Sequence, residues 1–125
     1  AGFVDEASKR AILADAAALV NPSEKESFSI VLMEAWREGT PVLVAAGSEV
    51  MADHCADSGG GFTFTGHDDF TARAASFLDD PRLREAMGEA GRRHVAAEWS
   101  WDAVTGRFAR VLDAIMAAQP VAGAA

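Results

Sequence analysis

Residues 41–45, PVLVA, constrain the fold more than any other stretch of the chain. They carry two β-branched valines and no polar side chain. A strand with one wet face alternates apolar and polar residues, whereas an unbroken apolar strand needs cover on both faces. That is the habit of a parallel sheet packed between helices, and the flanking sequence agrees. Residues 5–16 read as a helix capped by Asp5, with Ala7, Ala11 and Ile12 along one apolar face. Residues 17–20 are a short apolar run stopped by Asn21-Pro22, as expected of a buried strand entering a turn. Residues 28–38 form the next helix, closed by Gly39. After 41–45 the sequence predicts a loop over 46–60, then a third strand over 62–65, rich in Phe and Thr.

The remainder reads as helical. Asp68 is the expected cap of a segment with Phe70, Ala74, Phe77 and Leu78 on one face. Asp80-Pro81 is an N-cap followed by proline at the first helical position, opening a helix to about residue 97. Trp101, Val104, Phe108, Val111, Leu112 and Ile115 recur at three- and four-residue steps, the pattern of an amphipathic helix. Residues 119–125 are expected to be a flexible tail. The order of elements is the βαβ pattern of an α/β fold: a short parallel sheet of about three strands, flanked by helices, with a helical C-terminus. So thin a sheet leaves an apolar edge unpaired.

Composition excludes several classes. At 125 residues the chain is expected to be one domain, at most one and a half. With 50% hydrophobic and 24% charged residues it is globular, not disordered. Its net charge of −8 argues against nucleic acid or an anionic membrane as partner. Cys55 is the only cysteine, so disulfide scaffolds and zinc ribbons are excluded. No apolar run approaches the roughly 18 residues that a membrane span needs. The first ten residues do not read as a signal peptide, and there is no initiator Met.

The chemistry concentrates in residues 21–45, NPSEKESFSIVLMEAWREGTPVLVA. In an open parallel sheet, ligands bind beyond the carboxyl ends of the strands. The loop after Asn21 sits at such an end, and the helix that follows points unpaired N–H groups into the same crevice, where they suit a phosphate or diphosphate. Glu26 in the loop and Glu34 in the helix flank this row of donors. Each could accept from hydroxyls, so the order hydroxyls, diphosphate, hydroxyls matches a nucleotide-sugar. On spacing alone, a glutamate near a helix start is more often a structural charge that complements the dipole. Glu34, however, stands inside IVLMEAW among apolar neighbours, and a partly buried carboxylate needs a partner, for which a ligand hydroxyl is one candidate.

PSEKESFSIVLMEAWREGTPVLV resembles the donor-site segment of retaining GT-B glycosyltransferases of the family 4 (group 1) type. Seven residues separate Glu26 from Glu34, after a Pro-Ser strand end and before Gly-Thr-Pro-Val, as in the family pattern. GFVDEASKRAILADAAALVNPS resembles the preceding helix and strand, and PRLREAMGEAGRRHVAAEWSWDAV the C-terminal helices, with Trp101 in the aromatic-Ser-Trp position. HCADSGGGFTF resembles a subset of the family. The resemblance implies that residues 1–118 are a Rossmann-like half of the donor-binding domain. It implies that Glu26 is the catalytic residue and contacts the donor sugar, and that Ser27, Phe28, Ser29 and Ile30 line the sugar and diphosphate. Glu34 would hold the nucleotide ribose. No metal and no cofactor beyond the nucleotide-sugar substrate is implied. The family often has Gly where Ser29 stands, which puts the donor sugar in doubt.

By the same resemblance, the first domain, which binds acceptor, and a basic Arg and Lys for the donor phosphates lie upstream of this chain. The chain is then expected to be an inactive piece of a cytoplasmic enzyme, one that sits at the inner membrane face through its first domain. Two alternatives stay open: a non-catalytic module that self-associates through its open sheet edge, and another GT-B enzyme such as a sugar-nucleotide epimerase. Other residues read more plainly. Cys55 beside His54 is expected to be a packing residue, although His54 could line the crevice. Gly59-Gly60-Gly61 precedes a strand and reads as a turn or close approach, not a dinucleotide loop. Arg92-Arg93-His94 reads as a solvated helix face. Trp99, Trp101 and Phe108 read as core or interdomain packing.

Overall fold

The computed structural model describes residues 2–118, so the expected tail over 119–125 lies outside the described residues. Three parallel strands, β1 (Leu19–Asn21), β2 (Val42–Ala45) and β3 (Gly61–Phe64), lie side by side in that order. Val20 pairs with Leu43, and Leu43 with Phe62. β2 is the middle strand, and all four of its residues are buried, as its unbroken apolar sequence requires. The chain steps from β1 to β2 to β3 through α2 (Ile30–Glu38) and α3 (Glu49–Ser58). Right-handed crossovers in one direction place both helices on one face of the sheet. α1 (Glu6–Asp15) precedes β1. α4 (Gly66–Asp79), α5 (Pro81–Glu98) and α6 (Trp101–Ala118) follow β3. The result is the expected α/β, Rossmann-like arrangement with a helical C-terminus.

Strand alternation divides the core in two. Val42 and Val44 face the α2–α3 side and join Leu32, Met33, Trp36, Met51 and Cys55. On the opposite face Phe62 meets Phe77 and Phe64 meets Phe70, so α4 covers the sheet there with two phenylalanines seven residues apart. α2 packs between α1 and α5, and α5 also reaches α3 and α4. The hydroxyl of Thr40 donates to the Leu13 carbonyl, tying the end of α1 to the start of the β2 segment.

Several expectations need correction. The stretch 46–60 is not a loop, because it contains α3, and His54 therefore lies on a helix. Only Met51 and Cys55 are buried on that helix, four residues apart, and its acidic outer face conceals the period. On α1, Ala7, Ala11 and Ile12 are exposed, and Leu13 supplies the buried contact. The first strand lies at 19–21 instead of 17–20, and the third at 61–64 instead of 62–65. α2 begins at Ile30 instead of Phe28, because Ser29 takes a left-handed conformation that helix cannot continue through. Asp69, not Asp68, closes the start of α4, accepting from the Thr65 amide at 2.9 Å.

The Asp80 cap is as expected. Its Oδ1 accepts from the amides of Arg82 and Leu83 at 3.0 and 3.1 Å, and Pro81 occupies the first helical position. Asp80→Ala should lower unfolding stability by about 1 kcal/mol in urea titration. An unchanged midpoint would show that the cap contributes nothing.

Candidate functional site

The carboxyl ends of the strands carry the most organised polar loop of the chain. At the end of β1 the Asn21 side chain accepts from the Ser23 amide at 3.0 Å, the Asx turn that this residue type favours. Its Nδ2 donates to Glu26 Oε1 and to Ser29 Oγ, each at 3.2 Å. One asparagine therefore ties both ends of the loop 22–29 to the strand, and it brings together two of the residues expected at the site.

Ser29 is buried and sits at φ 62°, ψ 70° as the N-cap of α2. It is the one non-glycine residue at positive φ among the described residues. This gives a physical reason for glycine at the corresponding position: the backbone there is left-handed, which costs a side-chain-bearing residue energy. With its hydroxyl turned to Asn21, Ser29 makes no side-chain cap to α2, so the first amides of the helix lack a side-chain acceptor. Ser27 and Ile30 are exposed beside them, Ile30 to 67%.

α3 begins at the same end of the sheet, after β2. Its N-cap Ser48 also makes no side-chain cap, and the Ser48 hydroxyl is buried without a partner. Gly47 lies against the Glu24 side chain, where an added Cβ would be 3.2 Å from Glu24 Cγ. The loops after β1 and β2 are thus in contact, and two helix N-termini open beside them.

Glu34 differs from the sequence expectation in one respect. Its carboxylate already has a protein partner, because Lys9 Nζ on α1 lies 2.7 Å from Glu34 Oε1 and also bonds Glu6 at 2.9 Å. The Glu34 bond, and then Glu6, raises the Lys9 ammonium above the ordinary lysine range. A ligand hydroxyl was one candidate partner for Glu34; Lys9, which the sequence did not single out, is a partner within the chain. Glu34 still borders an open groove of about 590 Å³ between α2 and α5, with Ile30, Arg37, Arg92, Trp99 and Trp101.

Phe28 is partly buried: its ring packs against the core and also lines this groove. The ring meets His54 edge-on at 5.3 Å and Trp99 at 4.8 Å, and His54 meets Trp99 at 5.8 Å. Burial, and then nearby His94, depresses the His54 imidazole below the ordinary histidine range. Cys55 takes no part. Burial pushes its thiol up to about 12, so it holds no nucleophilic thiolate near neutral pH. Arg92 donates to the Glu38 carbonyl at 2.8 Å, and Arg93 pairs with Glu89 on its own helix. Gly59 ends α3 at φ 65°, while Gly60 and Gly61 lie against Trp36 and Val42, so the triple glycine serves a turn and close packing. Trp99 is partly packed. Trp101 and Phe108 are not core, being 82% and 64% exposed.

The family model described as "Glycosyl transferases group 1" matches residues 1–94. The chain belongs to the glycosyl transferase group 1 family. It is 41% identical over 106 residues to a D-inositol 3-phosphate glycosyltransferase of Streptomyces avermitilis, covering 82% of this chain and 22% of that protein. It is 38% identical over 89 residues to a GDP-mannose-dependent monoacylated alpha-(1-6)-phosphatidylinositol monomannoside mannosyltransferase of Corynebacterium glutamicum, covering 70% of this chain and 23% of that protein. No solved structure gave a significant match. The chain thus spans about a fifth of the length of these group 1 relatives. Both carry sugar transfer in their names, and this is the enzyme family of the chain. No group of three or more metal-ligating side chains occurs among the described residues, and no helix there is long and apolar enough to cross a membrane.

Proposed function

We propose that this chain forms part of the donor site of a group 1 glycosyltransferase of the family 4 type, one that binds a nucleotide-sugar and transfers the sugar with retention to an acceptor held elsewhere. The observation that carries the reading is the carboxyl edge of the sheet, where the uncapped start of α2 lies beside the Glu26–Asn21–Ser29 network. Amides at a helix N-terminus stabilise the diphosphate charge that grows as the sugar departs. Glu26, held by Asn21, is the carboxylate at the donor sugar and the proposed catalytic residue. Ser27, Phe28, Ser29 and Ile30 line the sugar and diphosphate with their backbone. Glu34 takes the ribose hydroxyls with the oxygen that Lys9 leaves free, and Lys9 holds its carboxylate in place. The name of the C. glutamicum relative supports a purine nucleotide diphosphate donor as the first to try.

The test is calorimetry of the chain with GDP-mannose, GDP and UDP. We expect Glu34→Ala to weaken nucleotide binding about tenfold, the loss of a charge-assisted hydrogen bond, and Ser76→Ala on the exposed face of α4 to leave it unchanged. Equal affinities for wild type and Glu34→Ala would remove the ribose assignment. Absence of binding by all three probes would count against donor binding by this chain. A second reading, self-association, rests on the outer edge of β1, which has no neighbour among the described residues, and on Val20, 43% exposed. Sedimentation that stays monomeric at every concentration would dispose of it.

A further inference from the structure

We propose that Trp99 and His54 are positioning residues that clamp Phe28 and so hold the loop 22–29 and the first turn of α2 in the shape a donor requires. Neither residue lies in the loop, and neither is among the residues proposed to contact the donor. Trp99 ends α5 as its C-cap, and His54 comes from the middle of α3. Their rings and that of Phe28 form a closed triangle of edge-on contacts, each pair within 5.8 Å. Trp99 is fixed in turn, since its Nε1 donates to His94 Nε2 at 3.3 Å and Arg107 stacks over its face at 5.4 Å. His54 stands edge-on to Trp36, which is wholly buried.

The loop needs such a hold. Ser29, the next residue after Phe28, sits at φ 62°, and a strained backbone persists only where its surroundings over-determine it. Asn21 supplies one constraint, through two hydrogen bonds at 3.2 Å. The aromatic triangle supplies the other, through the ring of Phe28. Phe28 thus packs a partly buried ring against the core, while its backbone belongs to the loop where the donor would lie.

The clamp carries a pH dependence of definite sign. His54 Nε2 is buried with no hydrogen-bond partner. The groups facing it are His94 and Glu98 from α5, Arg107 from α6, and Asp53 and Asp57 from its own helix. Burial and His94 disfavour the imidazolium, so the folded clamp contains neutral His54. A base whose folded pKa is depressed contributes its full stability above the unfolded value of 6.5, and loses it as pH falls below that value towards the folded one. The loop should therefore loosen on acidification, and His54→Gln should flatten that response.

Hydrogen exchange on the 125-residue chain tests this directly. The reporters are the Ser23 amide, bonded to Asn21, and the Leu32 amide, bonded to the Ser29 carbonyl. In Trp99→Ala their protection should fall about tenfold, the loss of two aromatic contacts, while β2 keeps its protection. Trp99→Phe should retain most of it. Unchanged protection in Trp99→Ala, or an equal loss in the loop and β2, would overturn the proposal. If Trp99→Ala does not fold, His54→Gln and Trp99→Phe decide it, through the pH response of the same amides. The link to the donor rests on the function proposed above, and affinity for GDP or UDP reads it separately. A nucleotide that binds should bind more weakly in step with loop opening. If neither binds the wild type, donor binding fails while the exchange result still decides the clamp.

Discussion

Gly91→Ala is expected to destabilise the protein by about 3 kcal/mol, the upper end of what overpacking a core costs. Gly91 is buried on α5 where that helix crosses α2, and a Cβ there would overlap the indole of Trp36, including its Nε1 at 2.6 Å. The indole cannot retreat. It is wholly buried, its Nε1 donates to the Gly60 carbonyl at 2.9 Å, and the rings of His54 and His94 stand edge-on against it. Helix propensity acts the other way, favouring alanine by about 1 kcal/mol, so the packing clash decides the sign. Gly88→Ala, one turn earlier, should be comparably damaging, because its Cβ would meet the backbone carbonyl of Gly39. Gly106→Ala in α6 is the control, since its Cβ would lie 3.6 Å from Arg110 Nη1, an ordinary contact. It should be neutral or slightly stabilising. Urea titration of the three variants reads all of this, and a Gly91→Ala protein as stable as Gly106→Ala would show that α5 can lift from α2 without cost. Against a total of about 5–15 kcal/mol, the expected loss is a large share of the stability.

These glycines mark the limit of what the sequence discloses. β2 was legible because its constraint is local: apolar residues on both faces of a strand imply cover on both faces. The Asp80-Pro81 start of α5 and the Gly39 end of α2 were legible for the same reason, since cap chemistry is written in adjacent residues. α3 was not, because its only buried residues are Met51 and Cys55, and two positions do not establish a period. Gly88 and Gly91 carry no sequence signal of their own, and the crossing with α2 shows what lies above them.

The candidate site divides in the same way. Glu26, Ser29 and Glu34 could be found from spacing and from resemblance, and the fold does bring Glu26 and Ser29 onto one asparagine. Lys9 lies twenty-five residues before Glu34, and its bond depends on how α1 packs against α2, which no local pattern records. Asn21 had a readable signal, an asparagine at a strand end before proline, but its two outgoing bonds depend on the path of the loop. The triangle of Phe28, His54 and Trp99 joins three separate elements and has no sequence signature.

Trp36→Ala should cost about 4 kcal/mol, within the range for removing a buried aromatic ring. Two terms add. The vacated volume lies between α2, α3 and α5 and cannot collapse without moving the sheet, and the Gly60 carbonyl loses one of its two donors, keeping the Val42 amide at 3.1 Å. Trp36→Phe removes the same hydrogen bond but a smaller part of the volume, and should cost about 2 kcal/mol. The double variant Trp36→Ala, Gly91→Ala should be less destabilised than the sum of the two single ones, because the methyl at position 91 then enters space that the indole has left. Strict additivity in urea titration would mean that the two residues do not share that space. The consequence for function is separable. Trp36 is edge-on to His54, and His54 holds Phe28, so loosening at Trp36 should reach the loop 22–29 even in conditions where the chain remains folded. Trp36→Phe keeps a ring against His54 while removing the hydrogen bond, so it should lower stability and spare the loop. Faster exchange of the Ser23 and Leu32 amides in Trp36→Ala than in Trp36→Phe, each compared with its own global stability, would show that the core supports the loop through this row of rings.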